Sequence, residues 1–144
     1  MKIYFLRHGN ADWPDWDQPD DERPLTKKGK HGVHKMTKFL CKLKVRPVLL
    51  LSSPLPRASE TAEIAAKALD LEVQLHRGLG KGFNAQKLRK MLPLAEGGDL
   101  MIVGHEPSFS KVLRVFTGAD VKLGKGGVAR VDLEEPTSLT GKLV

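Results

Sequence analysis

Cysteine is nearly absent. The single Cys41 excludes an intramolecular disulfide, a cysteine-built zinc site and an iron–sulfur cluster. Tyrosine also occurs once, and no aromatic-basic cluster of the kind that stacks nucleobases is present. No apolar run approaches the ~18 residues of a membrane span. The apolar stretch 3–6 is closed by Arg7 and His8, too early for a secretory signal, so a cytoplasmic protein without membrane contact is expected. What is present is a globular balance over 144 residues, 40% hydrophobic and 28% charged. One domain over 1–144, able to bury its own core without a disulfide or metal staple, is the expectation.

Charge is uneven. The net +7 comes from 24 Lys+Arg against 17 Asp+Glu. Six of the acids (Asp12, Asp15, Asp17, Asp20, Asp21 and Glu22) crowd one segment with no base among them; removing them leaves 11 acids against 24 bases, a surplus of +13. A basic body invites anionic partners, but no nucleic-acid motif accompanies the charge, so nucleic acid is not expected. The acidic segment lacks the glycine and terminal glutamate of a calcium loop. No metal and no cofactor are expected.

Strand-like and helix-like patterns alternate. Residues 2–6, 48–52, 72–75, 100–103 and 128–133 read as strands, and 141–144 as a last edge strand. The continuous apolar runs 48–52 and 100–103 suit strands buried on both faces of a parallel sheet. Helical spacing covers 29–44 (Val33, Met36, Leu40 and Leu43 inward), 56–69 (Ala58, Ala62, Ala65 and Leu69), 86–92, and 108–116 (Phe109, Val112, Leu113 and Phe116), with Gly118 as a stop. Residues 119–127 read as a loop. The fold class expected is an α/β three-layer sandwich around a mostly parallel sheet.

Ligands of such sheets bind beyond the carboxyl ends of the strands. Three of those ends carry unusual residues: Arg7-His8-Gly9, then Ser52-Ser53-Pro54 with Arg57 close behind, and Gly104-His105-Glu106-Pro107. A parallel sheet would bring two arginines, two histidines and a helix start to one edge, a set suited to a phosphate dianion. One histidine would serve as nucleophile, the other as a cation facing the equatorial oxygens. His31, His34 and His76 carry no motif; His31 and His34 sit three apart with no third ligand in sequence.

These blocks resemble the histidine phosphatase superfamily, whose fold is phosphoglycerate-mutase-like. Arg7-His8-Gly9 matches its signature, Ser53-Pro54 with Arg57 and Thr61 its second block, Gly104-His105 its third, and Arg23-Pro24-Leu25-Thr26 with Gly29 the block after the nucleophile loop. With Asp20 ahead of it, that last segment is most similar to phosphohistidine phosphatases of the SixA type. The resemblance runs from residue 1 to about 133. It implies His8 as the transiently phosphorylated nucleophile, Arg7 and Arg57 as holders of the phosphoryl oxygens, and His105 completing the pocket. It also implies Ser53, Arg23 and Asn10 as substrate-side residues, with Thr26 capping the following helix.

Two departures matter. Asn10 stands where many relatives carry an acid or amide. The stretch 77–84, around which mutases and broad phosphatases of the superfamily place an acid–base glutamate, holds no Asp or Glu. Its glycines fit neither a Walker loop nor a dinucleotide turn, and Glu96 and Asp99 lie too far on. An alkoxide leaving group demands a general acid, whereas imidazole, titrating near ~6.5, leaves with little help. Phosphohistidine on a protein is therefore the expected substrate, met in an open site with no long insertion as a lid, and Trp13 and Trp16 stand either at its rim or packed under the acidic loop. Two alternatives remain: a small-molecule phosphomonoesterase drawing its proton from Asp20 (or from Asp12, Asp21 or Glu106), and a non-catalytic module that binds phosphoproteins.

Overall fold

The computed structural model describes residues 1–134 and 142–144. Along the chain come β1 (Lys2–Arg7), α1 (Lys27–Lys42), β2 (Leu49–Ser52), α2 (Pro56–Leu69), β3 (Val73–Leu75), α3 (Ala85–Met91), β4 (Leu100–Gly104), α4 (Ser108–Thr117), β5 (Val128–Asp132) and β6 (Lys142–Leu143). Short 3-10 turns lie at Asp20–Glu22, Arg77–Leu79 and Leu92–Ala95. The strands form one sheet in the order β3-β2-β4-β1-β5-β6. β3, β2, β4 and β1 run parallel, β5 is antiparallel to β1, and β6 is antiparallel to β5. Of the edge strand expected at 141–144, residues 142–143 form β6; residue 141 lies outside the described residues.

Side chains alternate across the sheet, so each strand feeds two cores. Ile3, Phe5, Leu51, Leu100 and Ile102 meet Phe109, Val112, Leu113 and Phe116 of α4 and Leu88 and Met91 of α3. Tyr4, Leu6, Leu50, Met101 and Val103 meet Leu40 of α1 and Ala58, Ala62, Ala65 and Ala66 of α2. The alanine face lets α2 lie close to the sheet. This is the three-layer α/β sandwich that the alternating pattern implied. Among the described residues no helix is long and apolar enough to cross a membrane.

α1 faces the core largely as its spacing implied, with Thr37 added to the buried side and Leu43, just past the helix end, left out. α1 buries Gly29, Val33, Thr37 and Leu40, while Met36 is only partly covered and Leu43 stands 59% exposed. At its start α1 packs on the loop after β1. A Cβ on Gly29 would run into the backbone of Asn10, and one on Gly9 would come within 2.7 Å of Val33 Cγ2. Two glycines are required for that approach. Thr26 caps the helix as expected, its Oγ1 accepting from Gly29 N at 3.0 Å.

Candidate active site

The carboxyl ends of β1, β2 and β4 are adjacent, and their backbones are tied together. His8 N donates to Gly104 O (3.1 Å) and Ser53 N to Val103 O (2.9 Å). The loop before β5 closes the far side: Gly126 N donates to His8 O (3.0 Å) and Arg7 N to Gly127 O (3.0 Å). Thr61 of α2 locks the nucleophile loop to the second block, accepting from Gly9 N (3.1 Å) and donating to Arg57 O (2.7 Å). His8, Arg7, Arg57, Ser53 and His105 are thereby brought to one edge of the sheet.

His8 is 8% exposed. Its Nδ1 lies 2.7 Å from the carbonyl of Gly9. A carbonyl only accepts, so Nδ1 carries the proton and Nε2 keeps its lone pair. Burial pushes the His8 pKa down to about 4; Arg57, Arg7 and Arg23 push the same way, against the bond to Gly9. The ring is neutral near pH 7. The His105 ring lies 5.2 Å away between centroids. Burial, followed by the neighbouring charges of His8 and Arg57, lowers its pKa to about 3, with Asp21 opposing. In this pocket it is neutral, because it is buried among arginines; a phosphate dianion beside it would act in the opposite direction. Its Nε2 meets Ser53 Oγ at 2.8 Å, while its Nδ1 is buried without a partner. Ser53 is fully buried and also accepts from Leu55 N (3.2 Å), so its hydroxyl fixes the His105 ring.

Arg7 is anchored through Nη1 to Leu123 O (2.8 Å), leaving Nε buried and unpaired. Arg57, in the first turn of α2 behind Pro56, makes one long bond to Asp20 O (3.4 Å); burial, then the charge of Arg23, lowers its pKa. Arg23 donates to Ala11 O (2.8 Å), and its Nε sits 2.9 Å from Asp20 Oδ1 but off the N–H axis, as an ion pair rather than a hydrogen bond. Three guanidinium groups thus surround two neutral imidazoles. Donors left unpaired in so basic a pocket suit an oxyanion.

The remaining expected residues divide. The Asn10 side chain is committed to its own loop, its Oδ1 accepting from Asp12 N (3.0 Å) and Thr26 Oγ1 (3.0 Å). The Asp20 carboxylate faces Arg23 and solvent. Asp12 pairs with Lys125 and lies 3.7 Å from Arg23; the Lys125 bond holds its pKa low. The indoles of Trp13 and Trp16, 6.3 Å apart, donate to Pro24 O (2.9 Å) and Pro19 O (3.1 Å), so both fasten the acidic loop, though Trp13 remains 40% exposed. His31 and His34 are exposed on α1, and His76 Nδ1 accepts from Gly78 N (3.0 Å) in the turn after β3.

Beside His105 and Arg57 lies a cavity of about 250 Å³, bounded also by Leu55, Lys81 and Glu106. Lys81 went unnoticed in the sequence; it comes from the glycine-rich stretch and pairs with Asp21 at 2.9 Å. That contact holds the Asp21 pKa low. Glu106 is the carboxylate in the cavity wall, and both its oxygens are held by Ser110, Oε1 by the backbone N–H (2.8 Å) and Oε2 by the hydroxyl.

A neutral imidazole with a free Nε2 lone pair, a second imidazole and convergent guanidinium groups stand together at the end of a parallel sheet, a set suited to an oxyanion. Residues 3–81 match the model of the histidine phosphatase superfamily (branch 1). The chain is 34% identical over 137 residues to an uncharacterised protein of Picosynechococcus sp., covering 89% of this chain and 82% of that one. It belongs to the histidine phosphatase superfamily and is a phosphatase for a phosphate-bearing substrate. Among solved structures, the protein histidine phosphatase SixA complexed with tungstate superposes with a TM-score of 0.88 at 23% identity, covering 100% of this chain and 94% of that one. A mycobacterial glucosyl-3-phosphoglycerate phosphatase gives 0.75 at 15%, covering 99% and 96%. The fold is phosphoglycerate-mutase-like, as the resemblance implied.

Proposed function

We propose that the protein removes the phosphoryl group from phosphohistidine on another protein. His8 Nε2 attacks phosphorus; the new N–P bond forms as the substrate N–P bond breaks. The substrate ring, protonated at its other nitrogen, departs as neutral imidazole. Water then attacks phospho-His8, inorganic phosphate leaves, and His8 returns to its neutral form. Arg7 and Arg57 hold the phosphoryl oxygens, His105 completes the pocket beside His8, Ser53 orients His105, and Arg23 reinforces the positive field.

One observation carries the choice of substrate. No carboxyl group among the described residues stands ready to protonate an alkoxide. Glu106 is bound twice by Ser110, Asp21 and Asp12 are tied to lysines, and Asp20 faces Arg23. An ester would leave unaided, whereas one imidazole replacing another needs no acid. The SixA neighbour supports this reading; the glucosyl-3-phosphoglycerate phosphatase keeps a small-ester reading in view.

The test compares wild type with His8→Ala on a phosphohistidine protein, phosphoserine and a sugar phosphate. Turnover of phosphohistidine alone, lost in the variant, is expected. Efficient ester turnover that Asp20→Asn or Asp21→Asn abolishes would overturn it in favour of the ester. Phosphoprotein binding with no turnover would leave a binding module.

A further inference from the structure

We propose that the groove between α1 and residues 124–127 is the docking surface for an acidic face of the phosphorylated protein substrate. The groove holds about 570 Å³ and is lined by the apolar Met36 and Phe39 around Gly32, together with Lys28, Lys35 and Lys125, the last paired with Asp12. Turning Val33, Thr37 and Leu40 inward leaves Phe39 55% exposed, an apolar stripe that the fold does not use.

Its position ties it to the chemistry. Gly9, next to the nucleophile, lines the groove, as do Gly126 and Gly127, which bond to the backbones of His8 and Arg7. The carbonyl of Leu123, one residue before the groove, holds the Arg7 guanidinium. The two loops that carry and brace His8 and Arg7 thus also line the groove, which puts the groove within reach of a protein whose phosphorylated side chain meets His8.

Charge names the occupant. α1 carries Lys27, Lys28, Lys30, Lys35, Lys38 and Lys42 with no acid, and none of the six has an ion-pair partner among the described residues. An acidic partner with apolar residues on the same face matches both the lysines and the apolar lining. A second copy of the chain seated α1 on α1 would oppose like charges. A nucleic acid would leave Met36 and Phe39 unmatched.

Gly32 is an independent sign. A Cβ there would meet nothing within 4 Å, so neither packing nor a special backbone angle requires the glycine. A glycine inside an exposed helix weakens the helix relative to alanine. The open space it leaves is what a docked side chain needs.

The inference rests on the phosphohistidine reading, and its test separates the two. Three probes are used: phosphoramidate, which reads the pocket alone, and two phosphohistidine peptides of equal length, one acidic and amphipathic, one with its acids replaced by amides. Binding of the unphosphorylated acidic peptide is followed by fluorescence anisotropy. The wild type should clear the acidic peptide about tenfold better than the neutral one. Gly32→Trp, which fills the groove without changing charge, and the Lys28→Glu/Lys35→Glu pair should each remove about tenfold of kcat/KM and of affinity for the acidic peptide while leaving phosphoramidate turnover unchanged. Equal handling of both peptides, failure of wild type to bind, or Gly32→Trp behaving as wild type would overturn the docking surface. So would a short nucleic-acid duplex binding there more tightly, or a wild-type dimer that Gly32→Trp makes monomeric. Loss of phosphoramidate and peptide turnover in wild type, with groove-dependent binding retained, would sink the catalytic reading and leave the groove standing.

Discussion

At the scale of single residues, the pocket makes histidine behave as an uncharged base. His8 and His105 have pKa values near 4 and 3 because burial strips water from their cationic forms and arginines surround them. Both bind a proton more weakly folded than unfolded. Their contribution to stability is therefore complete above the unfolded value of ~6.5 and is lost as pH falls from there toward about 4. For His8 the loss is about 3 kcal/mol over that window. Urea midpoints at pH 7 and pH 4.5 should fall steeply for wild type and less for His8→Gln; parallel falls would refute the assignment. Arg57, held by only one long bond, is free to move onto an anion. Arg57→Ala should lose about 100-fold in kcat, and the thermal upshift that inorganic phosphate gives the wild type should shrink in it. An undiminished upshift would place the anion elsewhere.

At the scale of elements, function depends on joints. Thr61 serves two of them, receiving the Gly9 N–H and holding the carbonyl of Arg57, so the nucleophile loop and the second arginine move together. Glu60 beside it accepts from Leu25 N (2.9 Å) and ties down the lead-in to α1. Thr61→Val keeps the shape but leaves the Gly9 N–H buried and unpaired, at a cost of about 1–3 kcal/mol. Chemical denaturation should show that loss together with slower formation of phospho-His8; a drop in stability with the phosphorylation rate intact would make Thr61 structural only. Periodicity located the strands and helices to within a few residues, because apolar spacing is a local property. It gave Val33, Met36 and Leu40 of α1 but neither Thr37 nor the seating of Gly29 on the Asn10 backbone, a contact between segments far apart in sequence. It also missed Lys81, since nothing local distinguishes one lysine in a glycine-rich loop.

At the scale of the molecule, charge is sorted. The acidic segment is fastened across the site mouth by Lys81 to Asp21 and Lys125 to Asp12, while α1 offers lysines alone. Such exposed pairs contribute only about 0–1 kcal/mol each. Lys81→Ala should accordingly shift Tm by no more than about 3 °C; a larger drop in a thermal melt would mean the pair holds the loop's fold. The sequence by itself determined the layered α/β class, the strand ends that carry chemistry, and the Arg-His and Gly-His blocks, because hydrophobic period and motif order are written along the chain. Tertiary structure alone decided that both histidines are neutral, that Asn10 is spent on its own loop, that the nearby carboxylates are occupied, and that α1 leaves Phe39 facing out. Each of these depends on burial or on partners brought from distant segments, and neither quantity exists until the chain has folded.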